Sequence, residues 1–96
     1  MSMKYSSRVD ANQPDIVKEF RRCGASVTPT HNAGQGFPDL VVGFRGVNYC
    51  VEIKNPDQPP SKQKLTPDQI VWHENWKGQH IVVKTIDDVW QLLGIK

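Results

Sequence analysis

The sequence predicts an α/β (α+β) domain with element order α-β-β-β-α-β-α, and three observations carry that prediction. Two short runs rich in β-branched and apolar residues flank Arg45-Gly46, the pattern of a hairpin. A proline-led segment with an apolar stripe at helical spacing precedes them. A capped segment, a further β run and a last amphipathic segment come after them.

Each element has its own local reason. The first helix is expected from Pro14 to Cys23, with proline in the first turn, Gly24 as the stop, and Ile16, Val17, Phe20 and Cys23 on one face. Ser26 to Thr30 reads as a short edge strand made irregular by Pro29. The glycine-rich stretch Asn32 to Gly36 reads as a turn that brings backbone close to the site; no Gly-Lys-Ser/Thr completes a phosphate loop. Pro38 to Phe44 and Asn48 to Lys54 are the paired strands. Asn55 to Leu65, with three prolines, reads as an extended exposed loop. Thr66-Pro67-Asp68-Gln69 has the form of a capping box, with Thr66 at the N-cap and Gln69 at N3, opening a helix that runs to about Lys77 and stops at Gly78. Ile81 to Lys84 is a strand, and Asp87 or Asp88 opens a last helix with Val89, Leu92 and Leu93 inward.

A chain of 96 residues has room for one modest core. Residues 13–96 are expected to form a single domain behind a flexible polar segment, 1–12. A net charge of +2 excludes a strongly basic nucleic-acid coat protein, so any DNA contact must come from local charge clusters. No apolar run is long enough for a membrane helix and no signal-peptide core is present. Cys23 and Cys50 sit among apolar neighbours and read as reduced core thiols, which suits a cytoplasmic protein.

The hairpin makes a chemical prediction. A two-residue turn at Arg45-Gly46 places Asp39 directly opposite Glu52, with Cβ atoms about 5 Å apart. Lys54, two residues beyond Glu52, falls on the same face. Opposed carboxylates repel unless a cation lies between them, and Mg²⁺ commonly takes one or two carboxylates. Taken singly, Pro-Asp is an ordinary turn and Glu-x-Lys an ordinary solvated strand face. Their coincidence in register is what points to a metal site.

These residues resemble a known family. Pro38-Asp39 followed by Glu52-Ile53-Lys54 looks like the signature of the PD-(D/E)xK nuclease superfamily. Gly36-Phe37-Pro38-Asp39-Leu40, Val51-Glu52-Ile53-Lys54-Asn55-Pro56 and Leu65-Thr66-Pro67-Asp68-Gln69 are similar to its small, stand-alone phage-type VRR-NUC branch. The likeness runs over about residues 8 to 94. It implies a restriction-endonuclease-like mixed sheet flanked by helices.

The resemblance also implies roles. Asp39, Glu52 and the main-chain carbonyl of Ile53 would hold Mg²⁺ or Mn²⁺, with no small-molecule cofactor, and Lys54 would lie near the attacking water or the phosphate. Gln69 has two readings: a capping residue, or a residue that also faces the site. Relatives carry an acid on the first helix where this chain has Gln13, so Gln13 or Asp15 is the candidate third-ligand position. Arg45, Lys62 and Lys64 are the expected phosphate contacts, joined by His31, the one histidine near the site. His31, His73 and His80 lack the spacing of a zinc site. Trp72 and Trp76 admit both base stacking and core or dimer packing.

The expected activity is therefore metal-dependent endonucleolytic cleavage of DNA. No base-reading module is present, so selectivity for branched or four-way-junction structure is expected. Two cuts need two sites, hence a homodimer. The resemblance suggests a phage or prophage origin in a bacterial host cell, with no membrane partner. The rival reading is a non-catalytic nucleic-acid-binding or assembly protein that keeps a nuclease-like fold; metal binding separates the two.

Overall fold

The computed structural model describes residues 9–95. The expected flexible segment 1–12 therefore lies for the most part outside the described residues. The order is α1 (Gln13–Arg22), β1 (Ser26–Pro29), β2 (Leu40–Phe44), β3 (Val47–Ile53), a 3₁₀ turn (Pro60–Lys62), α2 (Pro67–Asn75), β4 (His80–Val83) and α3 (Ile86–Leu93). The predicted succession of helices and strands is the observed one.

The four strands form one mixed sheet in sequence order. β1, β2 and β3 pair antiparallel, and β4 runs parallel to β3 after the crossover through α2. The β2–β3 register follows the hairpin geometry. Leu40 faces Val51 and Phe44 faces Val47. Arg45 (φ 51°) and Gly46 (φ 82°) both take positive φ, the type I′ geometry whose twist matches the flanking strands.

Strand alternation then sorts the two faces. Leu40, Val42, Val51, Ile53 and Val83 are fully buried and pack with Ile16 and Phe20 of α1 and Val89 and Leu93 of α3. Each such side chain contributes about 1.5–3 kcal/mol on burial. Cys50 and Glu52 alternate with this set and project from the other face, where Gln69 of α2 reaches Glu52. Cys50 is buried, Cys23 is partly covered, and neither forms a disulfide.

Several boundaries differ from expectation for visible reasons. Asp39 lies one residue before β2, yet the pairing continues around it: the Thr30 N–H donates to its carbonyl (2.7 Å) and the Thr30 hydroxyl to the Pro38 carbonyl (2.8 Å). α3 starts at Ile86 rather than at Asp87 or Asp88, because Thr85 is its N-cap and Asp88 completes a capping box. α2 ends at Asn75, where Trp76 turns to extended backbone (ψ 130°) and stacks its ring on Trp72 at 4.6 Å. Within the expected extended loop, Pro60–Lys62 forms a 3₁₀ turn, and Gln63 ties the loop together by donating to the carbonyls of Pro56 and Gln58. Leu92 is only partly buried on α3. Among the described residues no helix is long and apolar enough to cross a membrane.

Candidate active site

Asp39, Glu52, Lys54 and Gln69 line one cleft of about 320 Å³, together with Asp10, His31, Thr66, Asp68 and the loop Gly34–Phe37. Its floor is the end of the β2–β3 hairpin. Asp39 Oδ2 accepts the Ile53 N–H at 2.8 Å, so a side chain takes over the ladder where β2 has not yet begun. This contact holds Asp39 against β3 beside Glu52. The glycine loop forms one wall: Gly36 has φ 79°, and a Cβ there would collide with the Asp68 carbonyl. Only glycine allows that approach.

Gln69 joins α2 to this floor. Its Nε2 donates to Glu52 Oε2 at 3.0 Å, and its Oε1 accepts from Lys54 Nζ at 2.8 Å. The same Oε1 accepts the Thr66 N–H at 2.9 Å, while the Gln69 N–H donates to Thr66 Oγ1. One amide thus caps the helix and hydrogen-bonds both Glu52 and Lys54. Lys54 Nζ also stands 3.6 Å from Glu52 Oε2.

The electrostatics follow from burial. Glu52 is 2% exposed and Lys54 7%. Burial first, and the facing Asp39 carboxylate second, push the Glu52 carboxyl up to about 8, while Lys54 opposes the shift. Glu52 Oε1 is buried with no hydrogen-bond donor. A buried acid with an unsatisfied oxygen, crowded by a second acid, is a costly arrangement without a cation. Two hard oxygen donors and the orphaned Oε1 thus fit a Mg²⁺- or Mn²⁺-class ion, although no group of three His, Cys, Asp or Glu side chains surrounds a common point among the described residues.

The remaining candidates are spread out. His31 reaches the cleft, with a buried Nδ1 that lacks a partner. Gln13 is buried but lines a neighbouring groove with Val9, Pro14 and Val17, and Asp15 is exposed on α1. Arg45 lies at the far end of the hairpin, roughly 20 Å along the strand from Asp39, with its guanidinium over the Phe44 ring. Lys62 and Lys64 are exposed on the loop before α2. Trp72 packs with Phe37, His80 and Trp76 beside the cleft, and the His73 and His80 Nδ1 atoms are 3.0 Å apart.

Asp10 is the cleft acid that pattern does not reveal. A polar stretch ahead of a proline-led helix has no period to place it. Its position depends on Asn12, whose Nδ2 donates to the carbonyls of Lys54 (3.1 Å) and Lys84 (2.9 Å).

No protein-family model and no curated protein matches the chain. Among solved structures, a chain described as a VRR_NUC domain superposes with a TM-score of 0.63 at 28% identity, covering 85% of this chain and 89% of that one. The match bears out the resemblance drawn from the Pro-Asp and Glu-x-Lys motifs: this chain has the VRR-NUC fold, a mixed sheet flanked by helices.

Proposed function

We propose that this protein is a metal-dependent DNA endonuclease that hydrolyses phosphodiester bonds. The observation that carries the reading is the buried Glu52 beside Asp39, with an undonated Oε1, in a cleft that also presents Lys54. The VRR_NUC neighbour supports a nuclease of this class. Asp39, Glu52 and the Ile53 carbonyl would hold Mg²⁺ or Mn²⁺, and such an ion supplies Lewis-acid activation of the phosphate and a more acidic water.

The chain's own residues divide the remaining work. Asp39 fixes the floor by accepting the Ile53 N–H. Gln69 holds Lys54 Nζ in the cleft, where its ammonium stabilises charge on a phosphate or positions the attacking water. His31 lines the cleft, and its imidazole is the candidate side-chain contact there for a phosphate oxygen. Lys62, Lys64 and Arg45 lie on exposed loops, and any contact they make with DNA extends beyond the cleft. Recognition then falls on backbone and shape, hence on branched or four-way-junction DNA. Cleavage of two strands calls for a symmetric homodimer, because the described residues of one chain bring Asp39, Glu52 and Lys54 together in a single candidate site.

The test is cleavage of labelled four-way junction, flap and linear duplex with Mg²⁺, Mn²⁺ or chelator, with Glu52→Gln alongside. Cutting that needs the metal and is lost in the variant is expected, with the junction preferred. Binding without cutting under every condition would replace this reading with a non-catalytic nucleic-acid-binding role.

A further inference from the structure

The first helix presents no carboxylate to the cleft, but the residues just before it do. Asp10 is a wall residue of the cleft, whereas Gln13 lines the adjoining groove and Asp15 is exposed. Its position is built in. The Gln13 N–H donates to the Asp10 carbonyl at 2.9 Å. Two residues on, Asn12 clamps the main chain of Lys54 and Lys84, so the turn carrying Asp10 is tied to the strand ends that carry the site.

The surroundings of the Asp10 carboxyl are those of the site itself. Burial and then the charge of Asp39 raise its pKa, and Lys54 opposes them. Four acids line the cleft, Asp10, Asp39, Glu52 and Asp68; Asp68 is exposed in the first turn of α2, whereas Asp10 feels the charges of Asp39 and Lys54. The second, independent sign of an occupant is Glu52, 2% exposed, whose Oε1 has no donor.

We propose that Asp10 is the third acidic group of the cation site, acting on the hydration shell of a Mg²⁺- or Mn²⁺-class ion held by Asp39 and Glu52 rather than ligating it directly. The proposal rests on the nuclease reading above. Indirect contact is the form the geometry favours, because no three ligating side chains converge among the described residues. Mg²⁺ dehydrates reluctantly and keeps several waters. Outer-shell partners of a metal site tune its affinity, and their mutation typically costs about 10–100-fold. Asp10 is thus a positioning residue, and it takes the part that an acid at the Gln13 position would otherwise play.

The experiment is Mn²⁺ binding to the full DNA-free chain by calorimetry, for the wild type, Asp10→Asn, Asp10→Glu and Glu52→Gln, with the metal-free melting temperature of each. Asp10→Asn is expected to weaken Mn²⁺ by about tenfold or more, and Asp10→Glu to retain most of the affinity. The metal-free melting temperature of Asp10→Asn should be no lower than wild type, because the change removes a desolvated charge facing Asp39. Unchanged Mn²⁺ affinity in Asp10→Asn, with binding weakened in Glu52→Gln, overturns the role of Asp10 and leaves the nuclease reading standing. Unchanged affinity in Glu52→Gln removes the metal site, and both readings fall. A melting temperature clearly below wild type in metal-free Asp10→Asn assigns the residue a structural role instead and also overturns the proposal.

Discussion

Lys54 shows how one residue can be held by structure and offered to chemistry. Its stem is buried, its ammonium is fixed by Gln69 Oε1, and Glu52 Oε2 stands 3.6 Å away. A lysine buried this deeply is tolerated because Gln69 Oε1 accepts a hydrogen bond from it and Glu52 Oε2 lies within ion-pair distance. Lys54→Met should separate the two functions of the cleft. Losing a charge aimed at the reacting phosphate is expected to slow cleavage by about 10²–10³-fold. Mn²⁺ affinity should hold or rise, since a competing cation has gone. Single-turnover cleavage beside calorimetry measures both, and a variant that lost metal binding and cleavage together would make Lys54 a structural support of the carboxylates.

At the scale of elements, α2 is anchored by the residue that organises the site. Thr66 and Gln69 cap the helix reciprocally, and Gln69 alone continues to Lys54 and Glu52. Thr66→Ala removes one cap and should cost about 1 kcal/mol of stability, with cleavage largely kept at temperatures where the protein stays folded. Gln69→Ala removes the side-chain half of the cap and leaves Lys54 and Glu52 without the amide that hydrogen-bonds both. It should therefore lose stability by more than Thr66→Ala and lose cleavage as well. Denaturant unfolding and cleavage rates of both variants check this; equal effects on activity would confine Gln69 to capping.

Across the whole molecule, α1 and α3 are clasped on the sheet face opposite the cleft. Trp90 Nε1 donates to Glu19 Oε2 at 2.6 Å, and Arg22 pairs with the same carboxylate. The Arg22 hydrogen bond first, and Trp90 second, lower the Glu19 carboxyl from 4.5 to about 2. An acid whose folded pKa is depressed stabilises the protein above its unfolded value and loses that contribution as the pH falls. The Glu19 contribution is thus complete above about pH 5 and fades between pH 4.5 and 2. Glu19→Gln should flatten that part of the stability–pH curve and lower the plateau above it. Melting temperatures across the acid range and up to neutrality test it; parallel curves for the two proteins would assign the acid limb to other groups.

The sequence by itself determined the order of elements, the hairpin register and the α2 cap. Each of these is local: positive φ at Arg45-Gly46, period-2 alternation in β2 and β3, and a threonine three residues before a glutamine. The carboxylate pair inherits that local logic, because register alone sets Asp39 beside Glu52. Only the tertiary structure decided what surrounds the pair. Gln69 of α2 reaches across to Glu52 and Lys54, Gln13 lines an adjoining groove, and Asp10 enters through the Asn12 clamp on two strand ends. Those placements depend on tertiary packing, and residues 15 to 72 positions apart in the chain have no shared period to announce their contact.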